Sequence, residues 1–144
     1  MAVDMSTRAA QVLRVVVEEG FSRGDLDALD AVVLPNYVEH QPGLGPDLAS
    51  FKRNIAGLRA VFPDFTLTIE DLTVDGDRVW ARLRGRGTHC GPFFGRAPSG
   101  KRIEIDVFDV IRVEDGMLVE HWGVPDRFTM LEQLDLLPGG PPPQ

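Results

Sequence analysis

Cysteine is nearly absent from the sequence. Cys90 is the single one among 144 residues, so no disulfide can close within the chain and a disulfide-stapled scaffold is excluded. Long apolar runs are missing too; none approaches the ~20 residues a bilayer-spanning helix needs. The first ten residues lack a basic stretch followed by an apolar one, so no secretory signal is expected there. Positive charge is scarce: 15 Lys and Arg against 22 Asp and Glu give a formal net charge of −7 and a pI of about 4.9. Such a field repels phosphate backbones and anionic lipid headgroups, which argues against nucleic-acid and membrane partners. There is no GxGxxG, no phosphate loop, and no HxH, HExxH or CxxC spacing, so neither a nucleotide cofactor nor a metal is expected. These absences point to a cytoplasmic protein that works without a cofactor.

The remaining composition is that of a globular domain. A chain of this length suits one domain, taken as 1–138, that buries about 70% of its unfolded surface. The tail 139–144, Gly-Gly-Pro-Pro-Pro-Gln, is expected to be disordered. Ser6 or Thr7 can cap a helix running to about Phe21, with an apolar stripe of Val12, Leu13, Val15, Val16 and Val17. Asp25 opens a second, short helix expected to end near Pro35. A third follows Pro46, its residues Leu48, Phe51, Ile55, Leu58 and Phe62 stepping by three and four, and Pro63 stops it. From Phe65 the period changes to alternation, with strands predicted near 65–70, 79–89, 102–111 and 117–124. A Gly/Pro-rich loop spans 90–101, Asp75-Gly76 and Asp115-Gly116 mark turns, and a last helix runs over 127–136. Helices followed by long antiparallel strands define an α+β fold. A strongly curved sheet with helices across its open side leaves a cone-shaped cavity.

Alternation also sorts the strand residues onto two faces. Phe65, Leu67, Leu83, Ile105, Val107, Val119 and Gly123 fall on the inner face and are expected to line the cavity. Three polar residues share that face: His89, Asp109 and His121. Asp109 stands between Val107 and Ile111, and a carboxylate among aliphatic side chains is costly unless paired. A three-residue loop at Glu114-Asp115-Gly116 would set Asp109 opposite His121 and keep the aliphatic rows aligned, so this register is preferred to a strict two-residue turn. A buried carboxylate beside an imidazole has the parts for proton transfer. His40 lies in Tyr37-Val38-Glu39-His40-Gln41-Pro42, ahead of a Gly/Pro loop. On the outer face Arg82, Arg84 and Arg86 should pair with Glu104 and Asp106. Trp80, Phe108 and Trp122 share that face and suggest a second subunit covering it. Cys90 and His89 are adjacent on a strand and point oppositely, which argues against a Cys/His dyad.

The run from Gly87 to Lys101, Gly-Thr-His-Cys-Gly-Pro-Phe-Phe-Gly-Arg-Ala-Pro-Ser-Gly-Lys, resembles the GTHxGxFxGxxP[TS]GK stretch of SnoaL-like proteins of the nuclear transport factor 2-like superfamily. Asp115-Gly116-Met117-Leu118-Val119-Glu120-His121-Trp122, Asp126, the Tyr37 to Pro42 run and Phe62-Pro63-Asp64-Phe65 are similar to the same family. The resemblance spans about Ala9 to Leu137. It implies a cone-shaped α+β barrel, dimeric as a rule, and polyketide cyclases that close a ring by intramolecular aldol condensation without metal or cofactor. Many members carry Asp where this chain has Gly123, after Glu-His-Trp; Asp109 is then the remaining inner carboxylate. The resemblance thus implies a cyclase on a small hydrophobic polycarbonyl substrate. Asp109 would be the base, His121 would orient it or act as acid, and His89 and His40 would be donors to the growing enolate. Two alternatives stand beside it: epoxide opening of the limonene epoxide hydrolase type, and a non-catalytic protein that binds a small molecule.

Overall fold

The computed structural model describes residues 7–137; Ser6 and the tail 139–144 lie outside the described residues. Thr7 caps helix α1 (Arg8–Arg14), its Oγ1 accepting from the Ala10 amide at 3.1 Å. The chain then widens into a π-helical segment, Val15–Ser22, which buries Val16 and Val17. The Arg59 guanidinium closes its end, donating to the carbonyls of Phe21 and Ser22 at 2.8 and 3.1 Å. Asp25 caps a 3-10 segment, Leu26–Ala31, its Oδ1 accepting from the Ala28 amide.

The chain departs here from the expected helix ending near Pro35. Residues Val33–Glu39 form strand β1. Proline lacks the amide a helix interior needs but is tolerated on an edge strand. Strand β1 is such an edge, and its register is irregular between Val33 and Val38, the stretch that holds Pro35. Helix α2 (Leu48–Val61) follows, with Asp47 Oδ1 accepting from the Ser50 amide at 2.9 Å. It buries Leu48, Phe51 and Ile55.

Strands β2 (Thr66–Asp75), β3 (Arg78–Thr88), β4 (Arg102–Glu114) and β5 (Met117–Pro125) make a meander, and helix α3 (Arg127–Gln133) follows. The sheet order is β1-β5-β4-β3-β2, antiparallel except for the β1/β5 pair. The fold is therefore α+β. Its sheet is curved but unclosed, so helices rather than strand pairing complete the cone. The core lies between α1, the π segment, α2 and the concave face, with Leu13, Ile55, Phe62, Leu83 and Ile111 at most 1% exposed.

The β4/β5 hairpin corrects the expected register. Asp115 and Gly116 alone form the turn, with φ of 51° and 75°, the left-handed pair an Asp-Gly turn favours. Glu114 faces Met117 and Val113 faces Leu118, but Arg112 faces Glu120, so Val119 is the extra residue of a bulge. Beyond it Ile111 faces His121 and Asp109 faces Gly123. The turn is shorter than expected, and the bulge keeps His121 on the inner face.

Outside, Arg84 sits between Glu104 and Asp106 at 2.9 and 3.1 Å, and Arg86 joins Glu104 at 3.3 Å. Arg82 turns the other way, to Asp71 on β2 at 3.2 Å.

Candidate active site

A cavity of about 240 Å³ opens between the concave face and the helices, walled by residues such as Leu13, Phe51, Ile55, Phe65, Leu67 and Ile105. Its polar members are few: Tyr37, Glu39 and Gln41 in and just past β1, Asn54 on α2, Asp109 on β4, His121 on β5, and Arg127 on α3. The parallel pairing of β1 with β5 places Glu39 directly beside His121. The backbone holds that register, because the His40 amide donates to the His121 carbonyl at 2.9 Å.

The His121 imidazole consequently lies between two carboxylates. Its Nδ1 is 2.6 and 2.8 Å from Glu39 Oε1 and Oε2, and its Nε2 is 3.1 Å from Asp109 Oδ1. The Glu39 side chain is 1% exposed, against 12% for His121 and 13% for Asp109, so Glu39 backs the ring while Asp109 borders the cavity. Burial pulls the His121 pKa down, but hydrogen bonds and charge from Asp109 and Glu39 overcome it and lift the value to about 9. At neutral pH the ring is an imidazolium donating from both nitrogens. Glu39 Oε1 also accepts from the Gln41 amide at 3.1 Å.

Gly123 makes this arrangement possible. A Cβ there would lie 2.3 Å from Gln41 Oε1, 2.6 Å from Asp109 Oδ1 and 2.8 Å from His121 Cε1. With no side chain at Gly123, the carboxylate of Asp109 has room to reach across from β4 to the imidazole.

Of the other residues expected at the cavity, Phe65, Leu67, Ile105 and Val107 line it. Leu83 is fully buried, off the lining. The bulge takes Val119 off the inner row, and Leu118 stands in its place. Two histidines expected at the site are elsewhere. His89 is 1% exposed and packs beside Phe62 and Phe93, with Nδ1 2.8 Å from Ser99 Oγ. It lies just past the end of β3, where the inward direction leads into the 90–101 loop rather than the cavity. His40 follows the inward Glu39 and so turns outward, stacking on Trp122 at 4.7 Å and meeting Glu120 Oε2 at 2.7 Å. Glu39, Tyr37 and Gln41 were not singled out from the sequence. Their signal is the i, i+2 spacing of a strand, which Pro35 obscures.

An apolar cavity of small-molecule size, edged by a buried carboxylate–imidazolium–carboxylate cluster and enclosed by a curved sheet and its helices, is the pocket of an α+β cone. The sequence matches the SnoaL-like polyketide cyclase family over residues 11–134. The chain belongs to that family and is an enzyme of its cyclase type. It is 29% identical over 139 residues to aklanonic acid methyl ester cyclase AcmA of Streptomyces galilaeus, covering 90% of this chain and 92% of that protein. Nogalonic acid methyl ester cyclase of Streptomyces nogalater is 26% identical over 121 residues, with 79% and 88% covered. Among solved structures, wild-type IdmH of Streptomyces antibioticus is 34% identical with a TM-score of 0.81, over 90% of this chain and 99% of that one.

Proposed function

We propose that the protein closes a ring in a hydrophobic polycarbonyl substrate by a cofactor-independent intramolecular aldol reaction. Asp109 removes a proton from a carbon flanked by carbonyls, and the enolate carbon attacks a second carbonyl of the same molecule. A C–C bond forms, the C=O π pair moves onto oxygen, and that alkoxide takes a proton from the His121 imidazolium. His121 regains its proton from Asp109, so the product is an isomer of the substrate and no oxidant or reductant is consumed. Glu39 holds the ring in place and keeps it charged. Apolar walls fold the substrate so that the two carbons meet, which supplies much of the rate advantage. The observation that carries this reading is the Asp109 carboxylate, at the edge of an apolar cavity and 3.1 Å from a doubly anchored imidazole. The names of the relatives suggest a methyl ester such as that of aklanonic or nogalonic acid as substrate.

Aklanonic acid methyl ester incubated with wild type should give a product of unchanged mass with one more ring. Asp109→Asn should lower turnover by at least about a hundredfold while its melting temperature stays near that of wild type. Undiminished turnover would remove Asp109 from the mechanism.

A second reading gains support from Glu39, because epoxide opening needs an acid and a base and the cluster holds two carboxylates. It predicts oxygen-18 from water in a diol product, and an epoxide recovered unlabelled sinks it. The same proposal places the enzyme in the cytoplasm, where the exposed Cys90 stays reduced.

A further inference from the structure

We propose that the Tyr37 hydroxyl is a ligand-binding donor that holds a second carbonyl of the substrate, remote from the carbon that Asp109 deprotonates. Tyr37 is 3% exposed and lines the cavity, yet its hydroxyl has no hydrogen-bond partner among the described residues. Buried tyrosines ordinarily bond their O–H, because leaving it unmade forfeits the hydration it had in the unfolded chain. Glu39, two residues along the same strand, is the neighbouring acceptor. Both of its oxygens are engaged by His121 Nδ1, and Oε1 also takes the Gln41 amide. The ring is held edge-on against Phe51, centroids 6.1 Å apart at 64°, so it is packed rather than free to seek solvent. Burial first, then the nearby charge and side chain of Glu39, push the phenol well above its ordinary range. The contact to Glu39 falls outside hydrogen-bond geometry, and burial and charge suffice to keep the hydroxyl a donor.

Register sets the two ends of the ligand apart. Glu39 pairs with His121, and β1 runs parallel to β5, so Tyr37 lies two residues back along the sheet from that level. Asp109 pairs with Gly123, two residues on, and belongs to the strand on the other side of β5. Base and phenol therefore occupy opposite sides of His121 on one concave face. A ligand that spans them presents an acidic C–H at one end and a carbonyl oxygen at the other. This is a statement about substrate class, a fused-ring compound with two separated carbonyl groups. It rests on the cavity being a carbonyl site, whichever reaction runs there.

The test uses 1-tetralone and its carbonyl-free counterpart tetralin, titrated by NMR into wild type and Tyr37→Phe, with the melting temperature of each ligand-free protein. Tyr37→Phe should weaken 1-tetralone by about three- to tenfold, leave tetralin unchanged, and melt no lower than wild type. Equal loss for both ligands would mean that the ring merely packs. Unchanged tetralone affinity, or a lower melting temperature from a lost internal bond, would equally overturn the proposal. Neither ligand is turned over, so failure here leaves the cyclase reading standing, and a missing cyclase activity leaves this one standing.

Discussion

At His121 two opposed effects meet, and their balance decides the charge of the site. Burial favours the neutral ring; Asp109 and Glu39 favour the imidazolium and win, lifting the value from 6.5 to about 9. A raised histidine stabilises the fold fully below its unfolded value, and that contribution drains away as pH rises from 6.5 through about 9. The shift corresponds to roughly 3 kcal/mol. Glu39→Gln removes one of the two carboxylates, so the His121 titration, followed by imidazole proton NMR, should fall toward 6.5. A value still near 9 would show that Glu39 does not hold the proton. Asp109 and His121 were legible in the sequence because a polar residue in an aliphatic alternating row is conspicuous. Glu39 and Tyr37 were not, because the residues ahead of them carry a proline and read as the end of a helix. His89 and His40 misled for a related reason: residue type and family likeness say nothing about what lies beyond the end of a strand.

Among the elements, the long antiparallel strands and α2 follow their periodicity closely, whereas β1 and the hairpin register do not. The Asp115-Gly116 turn was recognisable as a turn, but a bulge cannot be read from alternation, since one extra residue looks the same in the loop as in the strand. Neither a strict two-residue turn nor a three-residue loop gives the observed register, which combines the two-residue turn with a bulge at Val119. The 90–101 loop shows a different constraint. The amides of Cys90 and Gly91 both donate to the Val61 carbonyl, at 2.9 and 3.0 Å, tying the loop to the end of α2. A Cβ at Gly91 would lie 2.1 Å from the Ala60 carbonyl oxygen, and backbone cannot swing aside as a side chain can. Gly91→Ala should therefore cost about 2–4 kcal/mol, read as a lower denaturation midpoint in urea. An unchanged midpoint would contradict the tether.

For the molecule as a whole, the α+β order and the cavity follow from a helical first part and an alternating second part. The outer face carries exposed apolar side chains. Trp80, Phe108 and Val124 are 51%, 55% and 69% exposed on it, while Trp122 is partly covered by His40 and by Arg78, whose guanidinium is 5.1 Å from its ring centroid. We propose that a second copy covers this patch, as an exposed apolar face of a single subunit invites. Sedimentation equilibrium should give twice the 15.9 kDa chain mass, and Phe108→Glu should shift it toward one. A monomer in the wild type at micromolar concentration would refute the pairing.

Everything proposed for the reaction turns on Asp109 taking a proton from carbon. The most direct test of that step is proton NMR of a tricyclic aromatic 1,3-dicarbonyl methyl ester in deuterated buffer, with wild type and with Asp109→Asn. Deuterium should appear at the acidic carbon with wild type, and with the variant only at the slow rate of the protein-free control. Equal exchange with both proteins, or a bound ester that never exchanges, would contradict it.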